Sequence, residues 1–183
     1  MSEQLVLTVI ARDRPGIIRS LSGVIAEHGG NWVDSSMARL GGEFAGILLV
    51  AVPLANISGI EVALAALKTD GIEVSVRRAA GEAAPKGKRV FLELTGNDHA
   101  GIIAEISGEI ARLGASIDEL TTRVYPGSMS GTKMFEAHAD VILPEGVDAE
   151  AVRERLEDIA DDLMVEIEVE LPGERKDQPQ RRA

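Results

Sequence analysis

The chain has 183 residues, a formal net charge of −11 and no cysteine, and aromatic residues make up only 3% of it. The absence of cysteine excludes disulfides, thiolate metal sites and a cysteine nucleophile. Proteins that bind DNA need a basic face that displaces counterions from the phosphates. An acidic chain therefore argues against direct contact with nucleic acid.

From its first residues we expect the chain to carry no secretory signal. Met1-Ser2-Glu3-Gln4 lacks the basic segment and apolar stretch of a secretory signal. No apolar run approaches the length of about 20 residues that spans a bilayer, so we expect a cytoplasmic protein without membrane contact. Residues 172–183 contain four basic side chains, and we expect them to form a disordered, solubilising tail.

An internal repeat divides the chain in two. The segment 9–18, VIARDRPGII, returns as 94–103, LTGNDHAGII, so that Asp13 matches Asp98 and Gly16 matches Gly101. Such a repeat predicts two copies of one module. A module of this size buries only about 60–65% of its unfolded surface and is marginal alone. We therefore expect the modules to pair with each other or the chain to form a homodimer.

The first module, residues 4–78, alternates strand and helix patterns. A buried strand over 5–11 leads to Pro15, which suits the first turn of a helix that ends at Gly29-Gly30. Gly41-Gly42 predicts a two-residue hairpin between strands 31–40 and 43–52. Ser58 and Glu61 have the spacing of a capping box, which predicts a second helix to Asp70 before a strand over 72–77.

The second module, residues 89–171, repeats this order after a linker over 79–88 that is rich in Ala, Gly, Pro and Lys. We expect strands over 89–96, 116–124, 132–143 and 165–171, with one helix ending near Leu113 and a second carrying Val152, Leu156, Ile159 and Leu163 on one face. Its hairpin, 126–131, is longer. Each module is thus βαββαβ, which predicts an α+β chain of two ferredoxin-like domains, with antiparallel sheets and both helices on one face.

The repeated turn between the first strand and helix is the best candidate for a site. Free backbone N–H groups and the positive end of the helix dipole meet there, which favours a carboxylate. Gly16 lets a ligand approach the backbone, and the Asn31 amide could both donate and accept. The structural alternative is that Asp13 caps the helix and Gly16 only permits the turn.

The segment 13–17, DRPGI, followed by the helix to Gly29 and by Asn31, resembles the ACT domain, a small regulatory module that binds amino acids. Two such copies fill residues 4–171 and leave no catalytic domain. The segments 30–44, GNWVDSSMARLGGEF, and 116–123, SIDELTTR, with Pro126, are further similar to the glycine cleavage system transcriptional repressor family.

The resemblance implies a ligand bound at ACT interfaces by the strand-to-helix loop and the start of the second strand. In the second copy His99-Ala100 replaces Arg14-Pro15 and Ser116 replaces Asn31, so we favour the first copy as the binding site. By position the implied ligand-binding residues are Asp13, Arg14, Pro15, Gly16, Ile17 and Asn31, and in the second copy Asn97, Asp98, His99, Ala100, Gly101, Ile102 and Ser116.

Other candidate sites are weak. His28, His99 and His138 are scattered, and the acidic stretch 154–162 is interrupted by Arg155, so we expect no metal and no cofactor. Trp32 is more typical of packing than of a pocket. No group of residues indicates catalysis, so we expect the protein not to be an enzyme.

The predicted function is that of an amino-acid-binding regulator that acts through protein contact rather than on DNA. The ligand would be glycine or another small amino acid, and the partner a transcription factor. The alternative is a regulatory subunit that confers feedback control on a metabolic enzyme. A scaffold whose sites stay empty is a further possibility, which a ligand screen would distinguish.

Overall fold

The computed structural model describes residues 1–81, 87–127 and 131–170, which fall into two compact units. Each unit contains one four-stranded antiparallel sheet, and the element order is βαββαβ in both. The prediction of two ferredoxin-like modules is therefore confirmed. The predicted tail over 172–183 lies outside the described residues.

The first unit has the strand order β2-β3-β1-β4. Strand β1 alternates strictly, and its odd-numbered residues from Leu5 to Ala11 are buried, while Thr8 and Ile10 are exposed on the other face. This period of two packs one face of the sheet on the helices. The elements are β1 (Ser2–Arg12), α1 (Ile17–Glu27), β2 (Asn31–Leu40), β3 (Glu43–Pro53), α2 (Ile57–Ala66) and β4 (Ile72–Arg78), with short 3-10 turns at Leu54–Asn56 and Leu67–Asp70.

The tight hairpin between β2 and β3 forms at the predicted dipeptide. Gly41 and Gly42 have φ values of +60° and +87°. Two consecutive residues with positive φ are what the mirror-image hairpin turns require. The prediction made from this pair of glycines is confirmed.

Two predicted helix starts are wrong. Helix α1 begins at Ile17 with Gly16 as its N-cap, so Pro15 lies in the preceding turn rather than in the first helical turn. Helix α2 begins at Ile57 after the 3-10 turn, with Asn56 as N-cap and no side-chain cap. Ser58 is therefore inside the helix, and the spacing of Ser58 and Glu61 does not form a capping box.

The second unit repeats the arrangement with the strand order β6-β7-β5-β8. Its core draws on both helices and on the inner face of the sheet, with Leu94, Ile106, Val141 and Leu156 all buried. The predicted hairpin 126–131 and strand end Leu171 fall partly or wholly outside the described residues. The elements are β5 (Lys88–Asn97), α3 (Ile102–Arg112), β6 (Ser116–Pro126), β7 (Lys133–Leu143), α4 (Ala149–Leu163) and β8 (Val165–Glu170).

Among the described residues no helix has both the length and the apolar character needed to cross a membrane.

Candidate functional site

The backbone of the first loop presents unpaired donors. The Asp13 N–H donates to the Gly42 carbonyl, which fixes the end of β1 beside the hairpin. Gly16 has φ +97° and caps α1 without a side-chain hydrogen bond. The Ser20 N–H is the first to bond a carbonyl of the loop, that of Gly16. The three N–H groups from Ile17 to Arg19 therefore precede the first intrahelical bond and point out of the helix end.

Side chains hold this loop from two directions. The Arg14 guanidinium donates to the Asp70 carbonyl at 2.8 Å, which ties the loop to the end of the second helical segment. The Asp13 carboxylate pairs with Arg39 on β2 at 3.3 Å. Asp13 thus makes an ion pair with a strand and forms no helix cap. The structural alternative for this residue is wrong.

An open cleft of about 280 Å³ lies over the loop. Two guanidinium groups, the free N–H groups and the Asp13 carboxylate supply polar partners, while Phe44 and the 44% exposed Ile18 supply an apolar wall. Cationic donors next to a helix N-terminus favour a carboxylate. The cleft is lined by Asp13, Arg14, Gly16, Ile17, Ile18, Arg19 and Phe44.

Sequence reasoning missed three of these residues, Ile18, Arg19 and Phe44. Arg19 is exposed in the first turn of α1 and Phe44 is the second residue of β3 after the hairpin. Both could have been found by asking which side chains a helix start and a neighbouring hairpin bring together. Ile17, in contrast, is only 3% exposed, so its side chain packs in the core and not against a ligand.

Asn31 does not join the loop within its own module. It opens β2 opposite Ala51, and Ala51 lies opposite Gln4 near the start of β1. Asp13 follows the far end of that strand. Nine residues of extended chain separate the two levels, about 30 Å at about 3.3 Å per residue. Ser116 and Asp98 are separated in the same way, since Ser116 is level with Arg89.

The second loop keeps the backbone geometry of the first. The Asp98 N–H donates to the Lys133 carbonyl at 2.9 Å, and Gly101 has φ +107° as the N-cap of α3. Ile102 is buried, as Ile17 is, whereas Asn97 and Ala100 are exposed. The turn is therefore common to both copies, and the differences are in the side chains.

His99 takes over the tether that Arg14 makes in the first copy. Its Nε2 lies 2.8 Å from the Leu163 carbonyl at the end of α4, and its Nδ1 lies 3.2 Å from the Ala100 carbonyl. Hydrogen bonds to these two carbonyls, chiefly that of Leu163, raise the pKa of His99. The carboxylates of Glu105 and Asp98 act in the same direction.

The second helix start already carries an anion of its own. Glu105 lies in the first turn of α3, with Oε1 3.5 Å from the point where a Gly101 side chain would begin. The first turn of α1 has no acidic residue, and the matching position is Ser20. A carboxylate near a helix N-terminus satisfies the dipole. The second loop is thus less suited to an anionic ligand than the first.

The remaining candidates take structural positions. His28 Nδ1 contacts the Val24 carbonyl within one turn of helix, and Trp32 packs partly buried against the first core. His138 contacts Glu136 on the outer face of the second sheet. No cluster of three potential metal ligands occurs among the described residues.

One buried charge was not predicted. Glu109 on α3 is only 4% exposed and accepts hydrogen bonds from Arg112 and from Arg155 of α4, both at 2.7 Å. The Arg155 bond, followed by the Arg112 bond, lowers the pKa of this carboxyl. Glu109 holds the two helices together, and the repeat could have indicated it, because Val24 stands at the matching position.

Comparison with known proteins agrees with this fold. Residues 3–77 match the family model of the ACT domain. The glycine cleavage system transcriptional repressor of Escherichia coli (strain K12) is 25% identical over 161 residues, which are 87% of this chain and 85% of that protein.

Two crystal structures share the two-module arrangement. An unknown protein from Galdieria sulphuraria has a TM-score of 0.80 and 29% identity, over 94% of this chain and 99% of that one. A second structure, provisionally named as a glycine cleavage system transcriptional repressor, has a TM-score of 0.71 and 19% identity, over 94% and 98% of the two chains.

Proposed function

We propose that this tandem ACT-like protein, which resembles the glycine cleavage system transcriptional repressor family, is a regulator that binds a small amino acid at the Gly16 loop. The observation that carries the proposal is the open cleft of about 280 Å³ over a helix start with free N–H groups. The matching start in the second copy carries the Glu105 carboxylate.

Each part of an amino acid has a partner in this cleft. The ligand carboxylate accepts hydrogen bonds from the free N–H groups of α1 and faces the Arg19 guanidinium. The ligand ammonium faces the Asp13 carboxylate, whose exposed pairing with Arg39 is weak. Ile18 and Phe44 restrict the ligand side chain to a small or apolar group. A partner module can contribute Asn31 from the start of its β2.

The size of the ligand limits the affinity. Glycine has five non-hydrogen atoms, and a ceiling of about −1.5 kcal/mol per atom gives about −7.5 kcal/mol. This corresponds to a dissociation constant of a few micromolar at best. The protein would therefore respond to a metabolite that is abundant in the cell.

Titration calorimetry tests the ligand and its chemistry. Glycine, alanine and serine should give heat at concentrations below millimolar, acetate should bind weakly, and methylamine should not bind. Arg19→Gln should weaken binding at least about 10-fold, because it removes a charged partner of the carboxylate. Arg78→Gln, an exposed arginine that pairs with Glu3, is the control. No heat from any amino acid up to 10 mM, roughly 3,000-fold above the dissociation constant at the affinity ceiling, overturns the proposal.

The output of the regulator is a changed contact with another protein, since the acidic chain repels DNA. Purification of the tagged protein from its native cell, with and without the amino acid, separates the candidate roles. Retention of a transcription factor supports a repressor, as the name of the Escherichia coli relative suggests. Retention of a metabolic enzyme supports a regulatory subunit, the second candidate. Direct binding to duplex DNA at about 50 mM salt contradicts both.

A further inference from the structure

The outer face of the first sheet, turned away from the helices, is apolar at its centre. Ile10 is 47% exposed and Ile47 is 55% exposed, and they occupy neighbouring rows of β1 and β3. Thr8 lies opposite Ile47 in the register. We call this surface the first outer face. Its central residues are Val6, Thr8, Ile10, Ala38, Ala45, Ile47 and Leu49.

The second sheet provides an internal control for this surface. The register places Glu136 where the first sheet has Ala45, His138 where it has Ile47, and Asp140 where it has Leu49. On the neighbouring strand Arg123 takes the place of Ala38. The fold therefore tolerates a charged outer face. The apolar character of the first one is not a requirement of the sheet itself.

On the outer face of the second sheet, which we call the second outer face, charged residues form ion pairs with one another. Arg123 pairs with Glu136 at 2.6 Å, and Arg89 pairs with Asp140 at 2.8 Å. The strand β8 adds Glu166 and Glu168 beside them. Burying such a face against an apolar surface would desolvate several charges, which is strongly unfavourable. The second outer face is thus a poor partner for the first.

We propose that the first outer face packs against the same face of a second copy of this chain. A second copy supplies an equally apolar surface, and a two-fold axis brings the two identical faces together in an isologous contact. The rim carries both signs of charge, with Arg12 and Arg77 against Asp34, Glu43 and Glu73. A face with mixed rim charges can pair with itself.

The available area is sufficient for such a contact. Four strands at about 4.8 Å spacing and nine residues at about 3.3 Å give a footprint of roughly 19 by 30 Å. Two copies would remove roughly 1,100 Å² from water, above the ~1,000 Å² expected of a specific interface. Two sheets in this arrangement pack about 10 Å apart. The contact needs no amino acid, so its failure would leave the ligand proposal standing.

Sedimentation equilibrium tests the contact with a variant copied from the second sheet. The wild-type chain should have twice its 19.4 kDa mass. Ala45→Glu together with Ile47→His should raise the dissociation constant at least about 100-fold, because each copy then presents a carboxylate to its mate. Val62→Glu, at a residue of α2 that is 72% exposed, is the control and should remain dimeric. A monomeric wild type, or a double variant that stays dimeric, overturns the proposal.

Cysteine cross-linking keeps the proposal testable if the double variant fails to fold. The chain has no cysteine, so a single introduced thiol reports only its own neighbours. Ile47→Cys should be cross-linked between copies by a bismaleimide that spans about 10 Å, because Ile47 lies at the centre of the face and facing sheets pack about 10 Å apart. Val62→Cys should not. Absence of the Ile47→Cys cross-link, or equal cross-linking by both variants, contradicts the contact.

Discussion

At the scale of single residues, the two modules place different residues in the left-handed position that ends their second helix. In the first module Gly71 follows the 3-10 turn that ends the second helical segment and has φ +74°, and in the second module Met164 follows α4 with φ +51°. Left-handed backbone is strained for a side chain with a Cβ. Met164 is 69% exposed, so little packing offsets that strain.

We therefore expect Met164→Gly to stabilise the second module by about 0.5 kcal/mol, since strain relief exceeds the added freedom of the unfolded chain. Urea denaturation measures the free energy of unfolding of each variant and of the wild-type chain. Gly71→Ala is the reverse change and should destabilise by about 1 kcal/mol, although a Cβ there meets no atom within 4 Å. Equal stability of both variants with wild type would contradict a conformational origin.

A second glycine is required for space rather than conformation. A Cβ on Gly96 of β5 would lie 2.6 Å from the Val165 side chain and 2.8 Å from its Cα. Gly96→Ala should therefore destabilise by about 1–3 kcal/mol, because two paired strands must move apart. Gly108 is in α3 with open space around it. Gly108→Ala should instead stabilise by up to about 1 kcal/mol, and the same urea series compares the two.

At the scale of elements, each strand-to-helix loop is tied to the end of the second helix of its module. Arg14 reaches the Asp70 carbonyl and His99 reaches the Leu163 carbonyl, in both cases at 2.8 Å. The replacement of Arg14 by His99 thus preserves a contact that holds the loop. It also makes the second tether sensitive to pH, which the first is not, because arginine stays charged.

The pH dependence of this second tether has a definite sign. The folded pKa of His99 is raised above its ordinary value by the Leu163 and Ala100 carbonyls and by Glu105 and Asp98. Protonated His99 therefore stabilises the folded state fully below about pH 6.5, the ordinary pKa of histidine. This contribution is lost as the pH rises through the folded pKa of His99. NMR titration of the imidazole should give a pKa above about 6.5, and loop amides should exchange faster, after correction for the intrinsic rate, above that pKa.

His99→Arg gives the control for this tether, since it restores the arginine of the first copy. The loop over 98–101 should then keep its protection at high pH. A measured His99 pKa at or below the ordinary value would contradict the assignment, and so would unchanged pH dependence in His99→Arg.

The sequence predicted elements better than their ends. Alternation, helical spacing and Gly41-Gly42 identified every strand and helix of the first module, because burial of one face leaves a periodic signal. Pro15 and Ser58 misplaced two helix starts, since a cap depends on the backbone conformation that the surrounding chain imposes. Arg19 and Phe44 were missed because they meet only in the fold. Asn31 lies at the other end of the sheet from the loop of its own module, so its part in a ligand site at an interface stays a prediction.

At the scale of the whole molecule, duplication has preserved the fold while the surfaces have diverged. The copies share their strand order and the pinned Asp13 and Asp98 backbones. They differ at Ser20 against Glu105 and at Ile47 against His138. The first module thus has the open cleft and the apolar outer face, and the second has a charged surface. This divergence predicts one ligand per chain.

The stoichiometry measured by calorimetry tests this division into a binding first module and a non-binding second module. Two substitutions should restore ligand binding at the second loop. Glu105→Ser frees the start of α3 but leaves Ala104 at the position of Arg19, so the stoichiometry should remain near one per chain. Adding Ala104→Arg supplies the missing cation next to the free N–H groups and should move the stoichiometry toward two. Ala104 is exposed, so the arginine can be accommodated. Two ligands per wild-type chain would contradict the division, because Glu105 would then be no obstacle to an anion at the second helix start.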